Sequence, residues 1–252
     1  MKTTDYTPIA SSYDDNEIRL RIPVDVHLAA HLDARVGRPR AVLDLACGTG
    51  NFLRVQTAAH NGADIAWHGL DASEAMLGVA ASKLSGVALR RGAAEAMPYG
   101  DASFDYVVIN FALHHFLDKG RALDEVRRVL KPDGALRIAN IAPERMPDWW
   151  LYHFFPEALV EDEARFMAVS QLEAELQRRG FAVRLRVELE RATLPMGRIY
   201  QDALRRDISE LQIIGDAAWS RGMGRIEVAM AADATGVFAD EIALLCCRAS
   251  LG

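Results

Sequence analysis

The segment Ala41-Val-Leu-Asp-Leu-Ala-Cys-Gly-Thr-Gly-Asn-Phe-Leu53 passes from apolar residues through two glycines to residues that favour a helix. Residues 41–46 are apolar apart from Asp44, and such a short run predicts a strand that is buried on both faces of a sheet. Gly48 and Gly50 predict a tight turn in which the missing Cβ atoms let the backbone approach a ligand. The order of strand, glycine turn and helix is typical of the ligand-binding opening of a doubly wound α/β domain.

The spacing of the glycines argues against a dinucleotide as that ligand. The dinucleotide fingerprint is G-x-G-x-x-G, in which the third glycine allows close packing of the helix on the strand. Counted from Gly48, the third position is Leu53, and counted from Ala46 it is Asn51. An NAD-dependent oxidoreductase is therefore disfavoured.

The same stretch resembles motif I of the class I S-adenosylmethionine (SAM)-dependent methyltransferases, here in the form D-L-A-C-G-T-G. In that family the acid at the strand end, here Asp44, and the backbone around Ala46, Gly48 and Gly50 hold the methionine end of the cofactor. The resemblance therefore implies SAM as the cofactor and S-adenosylhomocysteine as the product. A glycine turn without a ligand is the alternative.

A second acid follows the next predicted strand. Residues 65–70 form that strand, and Asp71 follows it, 21 positions after Gly50. An acid about 20 residues beyond the glycine turn is placed to accept hydrogen bonds from ribose hydroxyls. A helix cap or a surface role is the alternative. The resemblance also implies cofactor contacts from Ala72 and Met76, with a core position as the alternative for the methionine.

The segment from Gly92 to Pro98, G-A-A-E-A-M-P, resembles the family's next motif, g-D-a-e-x-l-P. In the family the aspartate of this motif bonds the adenine amino group. Here that position is Ala93, which puts adenine recognition by a side chain at this position in doubt. We expect the backbone of Ala94, or Glu95, to make the contact instead.

The fourth predicted strand supplies the candidates for catalysis. The stretch S-F-D-Y-V-V-I-N, which ends at Asn110, resembles the family's strand 4, whose carboxyl end faces the ligand crevice. The resemblance implies that Asn110 and Phe111 contact the cofactor. His114 and His115 follow, and histidine can exchange protons near neutral pH, so both are candidate general bases. Packing or ordering of the loop is the alternative for either histidine.

The N-terminal residues 1–39 are expected to form a helical lid. Apolar residues at helical spacing predict a helix over residues 17–34, with a break or a start at Pro23. In the resembling family such a segment covers the cofactor. Tyr13 is the candidate for catalysis and Arg19 the candidate for cofactor binding, with a solvated face as the alternative.

The resemblance is continuous from Ala41 to Ile141 and includes a turn at residues 131–134. Strands are also predicted at residues 181–189 and 242–248. The complete fold is then α/β, a Rossmann-like doubly wound seven-stranded sheet with strand 7 antiparallel. The sequence predicts three domains: a lid at residues 1–39, a SAM-binding domain at residues 40–189 plus 242–252, and a helical cap inserted at residues 190–241.

Composition narrows the class of partner. Half of the 252 residues are hydrophobic and a quarter are charged, as in an ordinary globular protein. The formal net charge of -6 argues against a nucleic acid as partner. Three cysteines form neither a metal spacing nor a disulfide framework, which favours a cytoplasmic protein without a metal. The absence of a long apolar span predicts no membrane partner.

These features together predict SAM-dependent methyl transfer to a small-molecule acceptor. Displacement at a sulfonium mainly requires that an oxygen, nitrogen or carbon nucleophile be placed in line with the methyl group. Two alternatives share the same cofactor residues. One is an enzyme that uses SAM for cyclisation or elimination, and the other is a non-catalytic SAM-binding module. We expect a monomer or a homodimer.

Overall fold

The computed structural model describes residues 6–35, 37–232 and 236–251. Residues 1–5 of the predicted lid therefore lie outside the described residues. Among the described residues, the chain divides into two compact units. The sheet unit comprises residues 6–139, 173–185 and 247–251, and the helical unit comprises residues 140–172 and 186–246. The domain boundaries expected from the sequence stay a prediction.

Parallel strands dominate the sheet. The strands are β1 (Arg40–Leu45), β2 (Ile65–Asp71), β3 (Val87–Arg91), β4 (Phe104–Asn110), β5 (Leu130–Ile141), β6 (Phe181–Pro195) and β7 (Val237–Leu251). They form a seven-stranded sheet in the order β3-β2-β1-β4-β5-β7-β6, with β7 antiparallel. The order reverses between β1 and β4, which is the switch point of a doubly wound fold. The fold class predicted from the sequence is confirmed.

Helices cover the sheet and fill the helical unit. They are α1 (Val26–Asp33), α2 (Asn51–Ala59), α3 (Glu74–Lys83), α4 (Lys119–Val129), α5 (Trp150–Phe154), α6 (Pro156–Arg165), α7 (Val169–Arg178), α8 (Met196–Arg205), α9 (Ser209–Gln212) and α10 (Asp216–Ala232). Helices α8 to α10 lie between β6 and β7, where the sequence predicts a helical insertion. In the described ranges, no helix is long and apolar enough to cross a membrane.

The first α-helix begins after Pro23, where the sequence predicts a break or a start, and the residues before Pro23 are not α-helical. Instead of a helix over residues 17–34, the structure has short 3-10 turns up to Leu20 and a helix from Val26. Pro23 lacks an N–H group and favours an extended residue before it, so the helix cannot run through this point. The Asp25 carboxylate then accepts hydrogen bonds from the first-turn amides of His27 and Leu28, at 3.0 and 3.2 Å. This N-cap sets the start of the helix.

The predicted turn at residues 131–134 is a bulge inside β5. Phe104 of β4 faces Leu130, whereas Tyr106 faces Ala135, so the intervening β5 residues have no regular partner. Gly134 is needed there because a Cβ atom would lie 2.9 Å from Leu130 Cδ2 and 3.0 Å from the Lys131 carbonyl oxygen. The extra residues let β5 continue beside β4 after the bulge.

Strands β6 and β7 are longer than the sequence predicts. The pattern gives 181–189 and 242–248, whereas the structure gives Phe181–Pro195 and Val237–Leu251. The added part of β6 is exposed. A strand without a buried face needs no alternation of apolar and polar residues, so the sequence pattern does not reveal it. The two strands are neighbours in the sheet and are therefore hydrogen bonded to each other. Next to the end of β6 and the start of β7, the Met196 amide donates to the Gly236 carbonyl at 2.8 Å.

Aromatic side chains form the core of the helical unit. The cluster that follows β5 is buried, with Trp150, Tyr152 and Phe155 at 5%, 3% and 0% exposure. Helix α10 packs directly on this cluster because Gly222 has no side chain. A Cβ atom at Gly222 would lie 2.1 Å from the Phe155 ring. Gly224 lies two positions further along the same helix, and no heavy atom lies within 4 Å of the place where its Cβ would be.

We expect Gly222→Ala to lower the free energy of unfolding by about 1–3 kcal/mol, because the added methyl overlaps a buried ring. Gly224→Ala in the same helix is the matched control. It should be neutral or stabilising by up to about 1 kcal/mol, because alanine favours helix more than glycine does. Urea unfolding of both variants measures the difference. Equal stability of the two variants would show that α10 does not depend on this close approach.

A buried charged cluster lies in the same unit. The Tyr152 hydroxyl donates to Asp162 Oδ2 at 3.0 Å, and Arg165 Nε donates to Asp162 Oδ1 at 2.9 Å. Burial, and then the nearby charge of Glu210, raise the pKa of Asp162 to about 7, although Arg165 and Tyr152 act in the opposite direction. Asp162 therefore binds a proton more tightly in the folded protein than in the unfolded chain.

The free energy of unfolding should consequently receive a contribution from Asp162 that decreases as the pH rises from about 4 to about 7. Over this range the folded state holds a proton that the unfolded chain, with an ordinary pKa of 3.8, has released. Asp162→Asn cannot ionise and should flatten this part of the profile. Urea titrations of both proteins at several pH values test this, and identical pH profiles would contradict it.

Candidate cofactor and active site

Three strand ends bring the predicted site residues to one edge of the sheet. In the parallel register, Asp44 of β1 faces Gly69 of β2 on one side and Val108 of β4 on the other. Asp71 and Asn110 therefore end the neighbouring strands at the same edge. In doubly wound sheets, ligands bind outside the carboxyl ends of the strands at the switch point.

The glycine turn after β1 has an open side and a packed side. Ala46, Gly48 and Gly50 have φ angles of 61°, 52° and 77°, in the left-handed region that favours glycine. No heavy atom lies within 4 Å of the place where a Cβ of Gly48 would be, whereas a Cβ of Gly50 would lie 2.6 Å from Leu84 Cδ1. Gly50 thus allows the turn to pack on α3, and Gly48 leaves its backbone facing open space.

Asp71 holds the turn in place. Its Oδ2 accepts from the Gly48 amide at 2.8 Å, and its Oδ1 accepts from the Ser73 amide at 2.8 Å. Burial raises the pKa of this carboxyl, although the backbone hydrogen bonds partly offset the effect. Each carboxylate oxygen has two acceptor sites, so both oxygens keep capacity for a ligand hydroxyl. The cap of α3 is made by Ser73, which accepts from the Met76 amide at 3.3 Å.

Asp44 lies deeper, with 2% of its surface exposed. Burial, and then the neighbouring charge of Asp71, raise its pKa well above the ordinary value, while Arg137 acts in the opposite direction. Two acids close together in a buried place favour the protonated form of one of them.

The residues expected near adenine differ in their surroundings. Met76 and Ala94 are buried, and Ala72 and Ala93 are exposed. The Glu95 carboxylate accepts from the amides of Leu117 and Asp118 at 2.8 and 3.2 Å. Glu95 therefore holds the loop before α4. An adenine contact from Glu95 stays a prediction.

The chain leaves β4 in a strained conformation. Phe111 has a φ of 49°, which is uncommon for a bulky residue, and its side chain is 46% exposed. Its amide donates to the Ala139 carbonyl at 2.7 Å. Asn110, just before it, accepts from Arg137 Nη1 at 2.8 Å through Oδ1. The buried Nδ2 of Asn110 has no hydrogen-bond acceptor among the described residues, which leaves a donor for a ligand.

The two candidate bases sit in a short 3-10 turn, Leu113–His115. His114 is buried, and its ring centroid lies 4.0 Å from that of His115. His115 Nε2 is 2.9 Å from the hydroxyl of Tyr6, and the two rings meet edge to face. Sequence reasoning missed Tyr6, because a contact across 109 positions leaves no local pattern.

The N-terminal segment brings two further predicted residues towards this turn. The Arg19 guanidinium lies 3.9 Å from the centre of the Tyr13 ring, and Arg19 Nη1 donates to the Tyr13 carbonyl at 2.9 Å. The Tyr13 ring is 5.9 Å from the Tyr6 ring. Tyr13 therefore lies one side chain away from His115, with Tyr6 between them. The roles of Tyr13 and Arg19 stay predictions.

A polar network fastens this segment beside the glycine turn. Asp14 Oδ1 accepts from Thr49 Oγ1 and from Asn51 Nδ2, each at 2.8 Å. Lys83 Nζ donates to Asp14 Oδ2 and, at 2.9 Å, to Asn51 Oδ1. Burial alone would raise the pKa of Asp14, but the hydrogen bonds from Lys83, Asn51 and Thr49 lower it. The sequence analysis did not predict this network either.

No metal site is visible in the part of the chain that the structure describes. Within it, no group of three histidine, cysteine, aspartate or glutamate side chains is arranged to hold an ion. Cys47, next to the glycine turn, is buried, and burial raises the pKa of its thiol. A thiol with a raised pKa is unreactive.

Comparison with known proteins agrees with this geometry. Residues 43–138 match the sequence profile of the methyltransferase domain family. A demethylmenaquinone methyltransferase of Lactobacillus johnsonii is 34% identical over 163 residues, which cover 55% of this chain and 66% of that protein. The match thus spans just under two thirds of the relative's length.

Solved structures share the fold. A protein from Anabaena variabilis, ascribed to the methyltransferases of an antibiotic biosynthesis pathway, has a TM-score of 0.65 at 18% identity, covering 90% of this chain and 98% of its own. One from Bacillus halodurans, also ascribed to methyltransferases, has a TM-score of 0.62 at 20% identity, covering 90% and 99%. Residues 43–138 are thus similar to the methyltransferase domain family, and the chain shares its Rossmann-like fold with these solved structures.

Proposed function

We propose that this chain transfers the methyl group of SAM to a small-molecule acceptor by in-line displacement. The observation that carries the proposal is the open side of the glycine turn at Gly48, which is hydrogen bonded to the half-buried Asp71 at the switch point of the sheet. A backbone that faces open space at the carboxyl ends of the strands is where doubly wound sheets bind their ligands.

The residues of this edge fit SAM. The space above Gly48 would be closed by a Cβ atom, and the buried Nδ2 of Asn110 supplies a donor that needs an acceptor. The backbone at Ala46 and Gly48 would hold the methionine end, and Asp71 would accept from the ribose hydroxyls. The buried side chains of Met76 and Ala94 would lie against adenine. When bound, SAM supplies an electrophilic methyl group on a positively charged sulfur.

In this proposal, side chains of the protein position the reacting groups and accept a proton from the acceptor. His115 would accept the proton of an acceptor hydroxyl or amine, which matters only when that nucleophile is protonated. Tyr6 acts as a positioning residue, because its hydroxyl fixes one ring nitrogen of His115. The buried His114 would order the turn. The segment held by Asp14 would exclude water from the reacting atoms, which favours displacement over side reactions.

The acceptor is proposed from the sequence relatives. The Lactobacillus relative acts, by its name, on demethylmenaquinone. We take demethylmenaquinone in its reduced form as the first acceptor to assay, followed by other small hydroxylated or amino compounds. A cytoplasmic location and the lack of a nucleic-acid partner are proposed from the net charge of -6 and from a cysteine count and spacing that do not indicate a disulfide framework.

Gly48→Ala tests the cofactor site by titration calorimetry with SAM and, separately, with NAD. We expect the wild type to bind SAM and not NAD, and Gly48→Ala to bind SAM at least about tenfold more weakly, because the methyl occupies the open side of the turn. Asp71 is a poorer probe, because its loss would also release the turn.

Gly62→Ala is the matched control for Gly48→Ala. Gly62 also has a positive φ, of 81°, and also faces open space, but it lies after α2 and away from the edge. It should lose similar stability and keep SAM affinity. NAD binding, or equal SAM affinity in wild type and Gly48→Ala, would overturn the proposed cofactor site.

His115→Ala tests the proposed base. With an acceptor that the wild type methylates, we expect kcat to fall by about a hundredfold or more, while the Kd for SAM stays nearly constant. Tyr6→Phe should lower kcat less and shift the pH profile, because the hydroxyl only positions the ring. His153→Ala, at an exposed position of the helical unit, is the control.

Product analysis by mass spectrometry separates the remaining outcomes. Unchanged turnover in His115→Ala would assign that histidine to packing. SAM binding with a cyclised or eliminated product would replace methyl transfer by another use of the cofactor. SAM binding without any turnover across the acceptor panel would favour a binding module.

A further inference from the structure

Strand β6 ends the sheet on a long and uncovered edge. In the order of the strands, β6 is the last, and no other strand in the described part of the chain pairs with its outer side. The strand has 15 residues, and nearly all of them beyond Phe181 are at least partly exposed. Val187 and Leu189 are 44% and 42% exposed. Such an edge presents a row of free backbone donors and acceptors.

Most of the usual protections of a free edge are missing from β6. Proteins blunt exposed edges with proline, with charged side chains and above all lysine, with bulges, or with very short strands. Residues 181–194, F-A-V-R-L-R-V-E-L-E-R-A-T-L, contain no proline, glycine or lysine, and proline appears only at position 195. The opposite edge of the sheet differs, because β3 has only five residues. The charges that β6 carries are of both signs, so they oppose some partners and registers and favour others.

The side chains of β6 alternate in a self-complementary pattern. Successive side chains of a strand point to opposite faces. One face carries, in order, Arg184, Arg186, Glu188 and Glu190, all exposed. Arg186 Nε lies 3.0 Å from Glu188 Oε1, as expected for neighbours on one face. The other face carries apolar residues at positions 183, 185, 187 and 189.

We propose that β6 pairs antiparallel with β6 of a second copy of this chain, about a two-fold axis at Val187. In this register Arg184 faces Glu190 of the second copy, and Arg186 faces Glu188 of the second copy. On the other face Leu185 meets Leu189, and Val187 meets its own counterpart. The same patch serves both copies, as a two-fold dimer requires.

Charge selects this register over its neighbours. Moving the axis by one residue places it at Arg186 or at Glu188, and that residue then faces its own copy. Like charges directly opposite each other in a sheet are destabilising, whereas opposite charges are favourable. Only the axis at Val187 gives four pairs of opposite charge without a like pair. The sequence of the strand thus specifies a second copy of itself as the partner.

Charge reversal on one half of the strand tests the dimer. Sedimentation velocity should give the wild type twice the monomer mass. The double variant Arg184→Glu with Arg186→Glu makes all four positions acidic, and Glu188→Arg with Glu190→Arg makes all four basic. We expect each double variant alone to lose the doubled mass, because every cross-strand pair is then repulsive.

Mixing the two double variants is the decisive part of the experiment. Every cross-strand pair in the mixed dimer is of opposite charge, so the doubled mass should return on mixing. This recovery also shows that both variants are folded. A monomeric wild type, or a dimer that persists in each variant alone, would overturn the proposal, and so would failure of the mixture to dimerise.

A disulfide tests the register independently. Val187→Cys should give a covalent dimer on mild oxidation, because the residue meets its own copy at the axis. Leu189→Cys should not, because its own copy lies four positions further along the strand and too far for a disulfide. The wild type controls for Cys47, Cys246 and Cys247. Cross-linking through position 189 and not through 187 would contradict the register.

Discussion

The two hydrogen bonds that Asp71 accepts from Gly48 and Ser73 hold the ligand edge of this protein in shape. The backbone ladder between β1 and β2 ends with the Cys47 amide, which donates to the Leu70 carbonyl at 3.0 Å. Beyond that point the Asp71 carboxylate connects the glycine turn to the neighbouring strand. A buried carboxylate is costly unless it is hydrogen bonded, and two backbone amides compensate much of that cost. The turn therefore keeps its left-handed residues and its open side.

Much of this edge could be predicted because its determinants are local. An apolar strand, a glycine turn and a helix follow one another within 13 residues, and parallel strands place Asp44, Asp71 and Asn110 at the same edge. The break at Pro23 was also predicted from the sequence, and α1 begins just after it, with Asp25 as its N-cap. The 3-10 turns before Pro23 were not predicted, because the apolar spacing of those residues also fits a helix.

The rest of the site depends on contacts between residues that are far apart in sequence. Tyr6 meets His115 across 109 positions, and Asp14 meets Lys83 across 69. Periodicity and propensity describe neighbours along the chain, so neither could pair these residues. The full length of β6 was not predicted from the sequence, for a different reason. Its second half is held by a neighbouring strand and not by burial, and so it lacks the apolar alternation on which strand prediction depends.

The network around Asp14 makes the N-terminal segment a structural part of the glycine turn. Asp14 satisfies Thr49 at the turn, Asn51 at the start of α2 and Lys83 at the end of α3. A shortened chain that begins after this residue would leave three polar groups without their shared acceptor, beside the proposed cofactor site. Truncation and fusion designs should therefore treat residue 14 as belonging to the domain, although every family motif lies more than 20 residues downstream.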